Sequence, residues 1–245
     1  MKLTSVEQLD FLLGNMFNLL VGFPGHRPGG LLMSIFLAAV AVGLGFVVAV
    51  VLGSGYESRW RIVRLFSEVY VQIFRGIPLI LLLLIVHQLL GIGRQMGLRL
   101  TPLVSALAAL ILYSSAYQAE IVRAGLRSVP DPLIESARLL GGSQRQVYRM
   151  IRIRYALFVM RPAFAGQAIS IFKDTSVVLI LGVAELMTVA RIVLGSDVGN
   201  APYWVSLFLL VGLFYFVVAF TLSQISLRWE RGDQTIDLVH SLANQ

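Results

Sequence analysis

From Pro28 to Tyr56 the chain carries no charged side chain. That run exceeds the roughly 20 residues an α-helix needs to cross an apolar layer of about 30 Å, and it predicts a first span near Gly30 to Gly53. Gly76 to Gly93 reads the same way, extending back through Tyr70, with only His87 and Gln88 as polar interruptions. So do Leu100 to Ala119 and Val198 to Leu227, the latter ending at an interfacial flank, Arg228-Trp229-Glu230. Pro162 to Phe172 and Thr175 to Ala184 are each too short alone, but joined across Lys173-Asp174 they make one span of about 20 residues. The expectation is an all-α polytopic membrane protein with about five transmembrane helices. Composition agrees, because 57% of the residues are hydrophobic and 13% charged, against about 25% charged in a soluble domain.

The arginines set the orientation. Arg59, Arg61 and Arg64 follow the first span, and Arg123, Arg127, Arg138, Arg145, Arg149, Arg152, Arg154 and Arg161 follow the third. Arg228 and Arg231 lie in the tail, whereas the opposite loops hold Arg94, Arg99 and Arg191, offset by Glu185 and Asp197. Basic residues collect on the cytoplasmic side, which places the N-terminus outside and the C-terminus in the cytoplasm. The net charge of +7 is thereby read as topological and not as a nucleic-acid surface. There are no cysteines, and His26, His87 and His240 show no ligand spacing, so no metal site is expected. The first 27 residues do not read as a cleavable signal, since Asp10, Asn15 and Asn18 break the apolar run, and 1–28 is expected to form an extracytoplasmic or interfacial segment. Phe11, Leu12, Met16, Phe17, Leu19 and Leu20 can form one face of a short helix on the outer interface, with a loosely ordered tail as the alternative.

The basic loop at about 128–158 has its own pattern. Asp131-Pro132 reads as a helix start, Asp131 capping and Pro132 at the first position. Glu135, Ala137, Leu139 and Leu140 continue that helix until Gly141-Gly142 ends it, and Gly142-Ser143 restarts one from Gln144 through Arg154. Such a knob can project from the membrane, with Ser136, Ala137 and Gly141 small enough for close approach by another protein.

Glu135-Ser136-Ala137, three residues, Gly141, nine residues and Ile151 stand in the register of a known signature. The loop resembles the Glu-Ala-Ala loop of permease subunits of bacterial ABC importers, with Ser136, Ile153 and Arg154 as departures. Phe74 to Leu79, Ala116 to Gly125, Lys173 to Ser176 and Glu185-Leu186 resemble, in order, segments of the polar amino-acid branch. Pro132-Leu133 depart from that branch. The resemblance implies a permease domain at 29–230, a coupling loop at about 128–158 and a cytoplasmic tail at 231–245. It also implies residence in a bacterial inner membrane and ATPase coupling through Glu135, Ser136, Ala137, Gly141 and Gly142. Its implied partners are an ABC ATPase dimer, a second permease subunit and an extracytoplasmic amino-acid-binding protein. The departures favour a heterodimer over a homodimer.

Lys2 and Lys173 are the chain's lysines, and neither stands in a phosphate-binding Gly-x-x-x-x-Gly-Lys-Ser/Thr loop. The expectation is a non-catalytic subunit that binds no cofactor, with ATP and magnesium on the partner ATPase. Lys173 falls 12 residues beyond Arg161, roughly 18 Å along a helix, near mid-membrane. Charges at that depth mark pathways or paired scaffolds. Lys173 and Asp174, with Thr175 and Ser176, therefore either line the path of a zwitterionic solute or lock the span to a neighbour. Glu120 and Arg123 are close enough along a helix to pair, and Arg75 is expected to meet Glu120 between spans as scaffold. The rival functions are a stand-alone secondary transporter or channel, an intramembrane enzyme, and a same-family importer of opines or another polar solute.

Overall fold

The structure, a computed structural model, describes residues 5–23, 28–95, 97 and 100–243, with side chains described in those ranges except at 5, 94–95 and 229–243. The side chains of His26, Arg94, Arg99, Trp229, Glu230, Arg231 and His240 lie outside the described residues. Eleven α-helical segments follow one another among the described residues: α1 (Ser5–Val21), α2 (Gly30–Gly55), α3 (Arg61–Gly76), α4 (Leu79–Gln95), α5 (Pro102–Arg127), α6 (Asp131–Leu139), α7 (Gln144–Gln146), α8 (Ile153–Val159), α9 (Arg161–Asp174), α10 (Leu186–Gly195) and α11 (Trp204–Ala243). A π-helical turn, Val147–Arg152, joins α7 to α8, and 3₁₀ turns at Thr175–Leu181 and Val198–Tyr203 extend α9 and precede α11.

The helix pair α2–α5 forms the spine. On α2, Ala41, Gly45, Ala49 and Gly53 recur every four residues and are all buried. Residues four apart share one face of a helix, and small residues there let two backbones close up where no water drives apolar surfaces together. A Cβ on Gly53 would sit 2.6 Å from Val122 Cβ, and one on Gly45 would sit 3.1 Å from Ser114 Oγ. Leu37, Ala38, Leu82, Leu83, Ala106, Ala109, Leu110 and Phe172 complete a core shared by α2, α4, α5 and α9.

Four helical stretches are long and apolar enough to span: Gly30–Gly55, Pro102–Arg127, Arg161–Leu181 and Val198–Arg228. The expected second span is not a continuous helix. α3 and α4 form a pair bent by 110°, and only with that broken pair does the number reach five. The cause is local. Ile77 is extended (φ −89°, ψ 128°), as the residue before a proline tends to be, and Pro78 has no N–H to continue the ladder. The Arg161–Leu181 stretch is one span, but its hydrogen bonding tightens from α to 3₁₀ just after Asp174. It ends at Gly182, whose φ of +70° suits glycine.

The N-terminal segment does form a helix, though part of its predicted apolar face stays open. Leu19 is fully buried, and Phe11 stacks on Tyr203 with ring centroids 4.4 Å apart. Phe17 remains exposed. α1 therefore docks on α10 and the start of α11, while Phe17 points elsewhere.

Gly53→Val drives a branched side chain into Val122, and overpacking of this kind costs about 1–3 kcal/mol. The expected outcome is a lowered thermal midpoint of the purified protein in detergent, by roughly 2–4 °C per kcal/mol. Gly43→Leu on the same helix meets open space and should leave the midpoint unchanged.

Candidate functional site

The loop between α5 and α9 is built by backbone chemistry. α6 starts differently from expectation: Pro130, in extended conformation, holds the cap position, and Asp131 and Pro132 are the first two helical residues. Asp131 therefore makes no side-chain cap and acts as an acid in the first turn, where a helix dipole favours it. The helix ends as Gly141 N–H donates to Arg138 O at 2.9 Å and Gly142 N–H to Ala137 O at 3.0 Å. Gly141 has φ +82°, a conformation that side chains other than glycine seldom adopt. Gly142 is needed for space, since a Cβ there would meet Ala137 O at 2.7 Å. Ser143 then opens α7 with a reciprocal cap: its N–H donates to Gln146 Oε1 at 2.9 Å, and its Oγ accepts from Gln146 N–H at 3.4 Å.

The result is a projecting helix–turn–helix with exposed apolar tips. Glu135 and Ser136 are exposed and Ala137 is half-buried. Leu139 and Leu140 are 88% and 89% exposed. Sequence reading placed these two leucines in the helix without singling them out. It also treated Arg152 as one of many topological arginines. In the structure Arg152 Nη1 lies 2.6 Å from Glu57 Oε2, and Nη2 donates to Glu57 Oε1 at 3.0 Å and to Leu126 O at 3.2 Å. The pair thus combines one charge-assisted hydrogen bond with a second close charge contact. It ties the base of the knob to the ends of α2 and α5. The one usable sequence signal was Glu57 itself, an acid in an otherwise basic loop.

A charged seam runs between α3 and α5. Arg123 pairs with Glu120 on the same helix, and Arg75 Nη1 lies 3.8 Å from Glu120 Oε2 across the helices. Arg75 also sits over the Tyr117 ring at 5.3 Å, as Arg123 sits over Tyr56. Glu68, Gln72 and Arg127 line the same hollow of about 340 Å³. Of the four residues expected along a solute path, Lys173 is exposed, Asp174 and Ser176 are half-buried, and Thr175 is buried. Thr175 Oγ1 donates to Phe172 O at 2.7 Å and Ser176 Oγ to Lys173 O at 2.8 Å. In this conformation both hydroxyl protons are committed to the backbone, and the ammonium of Lys173 is the group that reaches the surface.

Glu185, counted from the sequence among the outer-loop charges, is fully buried. It caps α10 by accepting from Met187 N–H at 2.8 Å and Thr188 N–H at 2.7 Å. It also accepts from Thr188 Oγ1 at 2.9 Å, Tyr215 Oη at 3.1 Å and Ser34 Oγ at 3.4 Å. Five donors on one carboxylate join α2, α10 and α11. Beside it, Gly30 N–H donates to Ala184 O at 2.9 Å. Glu185 lies between the spanning segments, and burial pushes its carboxyl above the usual range against the opposing pull of these donors.

Residues 41–229 match the family described as the binding-protein-dependent transport system inner membrane component. Over 201 residues the chain is 31% identical to the probable glutamine ABC transporter permease protein GlnP of Bacillus subtilis (strain 168), covering 82% of this chain and 90% of that one. Over 220 residues it is 30% identical to the histidine/lysine/arginine/ornithine transport system permease protein HisM of Salmonella typhimurium, covering 84% and 89%. It is 30% identical to the inner membrane amino-acid ABC transporter permease protein YhdY of Escherichia coli (strain K12) over 81% of this chain, but spans only 54% of that longer protein. Among solved structures, an amino acid ABC transporter crystallised with histidines superposes with a TM-score of 0.77 at 25% identity, over 94% of this chain and 99% of that one. The fold is also that of the inward-facing MetNI methionine ABC transporter, with a TM-score of 0.62 at 21% identity, over 80% of this chain and 92% of that one.

Glu185→Ala strands two N–H groups and the Tyr215 hydroxyl, at about 1–3 kcal/mol for each buried group left unpaired, and should lower the thermal midpoint at every pH. The pH dependence has a definite sign. The folded state holds the Glu185 proton more tightly than the unfolded chain does. Its contribution is therefore complete below the ordinary carboxyl pKa and is lost as pH rises through the raised folded value. Melting curves between about pH 5 and 8 should slope downward in the wild type. They should slope less in Glu185→Gln, which keeps the acceptor oxygen and does not ionise.

Proposed function

The chain belongs to the family of binding-protein-dependent transport system inner membrane components, and on that premise we propose that it is the membrane subunit of an ATP-driven amino-acid importer that works by alternating access. The observation that carries the proposal is the knob at Asp131–Val159, which presents Leu139 and Leu140 almost fully exposed. Its base is clamped by Arg152 to Glu57 and to the Leu126 carbonyl. An exposed apolar tip on a rigid stem can receive force from a soluble protein and pass it into the membrane. Glu135, Ser136, Ala137, Gly141 and Gly142 shape that tip and carry the coupling to a partner ATPase, which holds ATP and magnesium. The names of the similar permeases, for glutamine and for histidine, lysine, arginine and ornithine, support an amino acid as cargo. Lys173 and Asp174 offer both charge signs to a zwitterion along the path.

The complex on this reading contains two ATPase subunits, a second permease subunit and an extracytoplasmic binding protein that delivers the solute. The loop, with its arginines, faces the cytoplasm, and α1 lies on the outer side. Arg75, Glu120 and Arg123 hold α3 against α5 as a scaffold. The second permease is a different chain in preference to a copy of this one.

Two experiments test the proposal. Mild-detergent purification from the native host should bring down a soluble P-loop ATPase in a one-to-one ratio with the permease. A chain that purifies alone and moves solute in vesicles without ATP overturns the reading in favour of a stand-alone carrier. Gly141→Val forces a branched residue into φ +82° and misdirects the knob. Transport should fall at least tenfold, an effect of about 1.4 kcal/mol or more, while membrane insertion is unchanged. Undiminished transport in that variant would remove the knob from the mechanism.

A further inference from the structure

A hollow of about 480 Å³ opens among α2, α5, α8, α9 and α11. Its wall is apolar, built largely from Val42, Phe46, Phe164, Ala165, Ala168 and Leu222. The Phe46 and Phe164 rings meet edge to face, with centroids 5.4 Å apart. Gln118 is the polar residue reaching it from α5, and its amide is already committed to Val42 O at 3.2 Å and Ser114 Oγ at 2.7 Å. The interior therefore has little to offer a polar solute, and a zwitterion entering it would lose its hydration without compensation.

One end of the hollow is different. Arg161, the first residue of the third continuous span, lines it, with its guanidinium 4.2 Å from the Phe158 ring. Ala168 lies seven residues further along the same helix, about 10 Å deeper. Exposed Arg154 precedes Arg161 by seven residues, and exposed Arg228 stands two residues past Ser226, which also lines the hollow. An apolar slot at membrane depth with the Arg161 guanidinium at one end is complementary to an amphiphile with an anionic head. Basic sites between membrane helices bind such headgroups, and an arginine offers five N–H donors in a fork that suits a phosphate.

We propose that this hollow is a lipid site. It takes an acyl chain of an anionic glycerophospholipid from the leaflet on the side of the Asp131–Val159 loop, and Arg161 holds the headgroup phosphate. The site is separate from the charged seam and from Lys173. It rests on the α9 span lying in a bilayer and not on what the protein transports.

The purified complex, delipidated in mild detergent, would be titrated with phosphatidylglycerol and with phosphatidylcholine of the same acyl chains and read by native mass spectrometry. Wild type should bind phosphatidylglycerol at least about fivefold more tightly, the order expected for a basic residue beside an anionic head. Gly43, also on the wall, faces open space. Gly43→Leu should fill the slot and lose both lipids while keeping the wild-type thermal midpoint. Arg161→Gln should bind the two lipids equally. Unchanged binding in Gly43→Leu, or no headgroup preference in wild type, overturns the proposal. So does a Gly43→Cys variant that cross-links efficiently to the second permease subunit, since protein would then occupy the slot. Because the readout is lipid retention, a failure here leaves the transport proposal standing, and a failure of transport leaves this one standing.

Discussion

One buried carboxylate organises one end of the molecule. Glu185 collects five donors from α2, α10 and α11 and their approaches. A charge-bearing group in an apolar interior is tolerated only when such partners surround it. Its position fixes the backbone around it: the Ala184 carbonyl accepts from Gly30, and α10 must begin where its first two free N–H groups meet the side chain. α1 is held in turn, because Leu19 packs against Leu186, Val189 and Leu207. The order of the extracytoplasmic face under the proposed topology therefore follows from one acid that hydropathy alone would assign to a solvated loop.

The spans were legible because the bilayer demands long runs without charge, and Pro28 to Tyr56 or Val198 to Leu227 can be nothing else. The break in the second span was written locally in Gly76-Ile77-Pro78, but the apolar run that follows hid it. Hydropathy registers polarity and is blind to a missing N–H. The glycine pair in the loop was also readable, since Gly141 and Gly142 each answer a backbone need. The π turn at Val147–Arg152 was not, because no residue there is obliged to widen the helix. Arg152 and Glu57 are 95 residues apart. Nothing in composition separates Arg152 from the other arginines of a basic loop, so its partner emerges only when the chain is folded.

The same limit applies to Lys173-Asp174-Thr175-Ser176. Sequence reading grouped the four as candidates along one path, but residues one and two apart on a helix point to different sides. Thr175 faces the core and Lys173 the surface. Arg75 and Glu120 were a simpler matter. Two opposite charges on neighbouring apolar spans have few alternatives to each other, and the structure places them 3.8 Å apart.

The small-residue ladder on α2 has a mechanical consequence. Side chains between helices usually act as compliant spacers that let one element slide or tilt against the next. At Gly45 and Gly53 that cushion is missing, and backbone lies directly on α5. The pair is consequently a stiff beam, bolted at one end by Arg152 and pinned at the other through Ser34 and Glu185. Deformation in this molecule is left to the joints where the helical ladder is already interrupted, at Gly76–Pro78, at Met160–Pro162 and at Gly182.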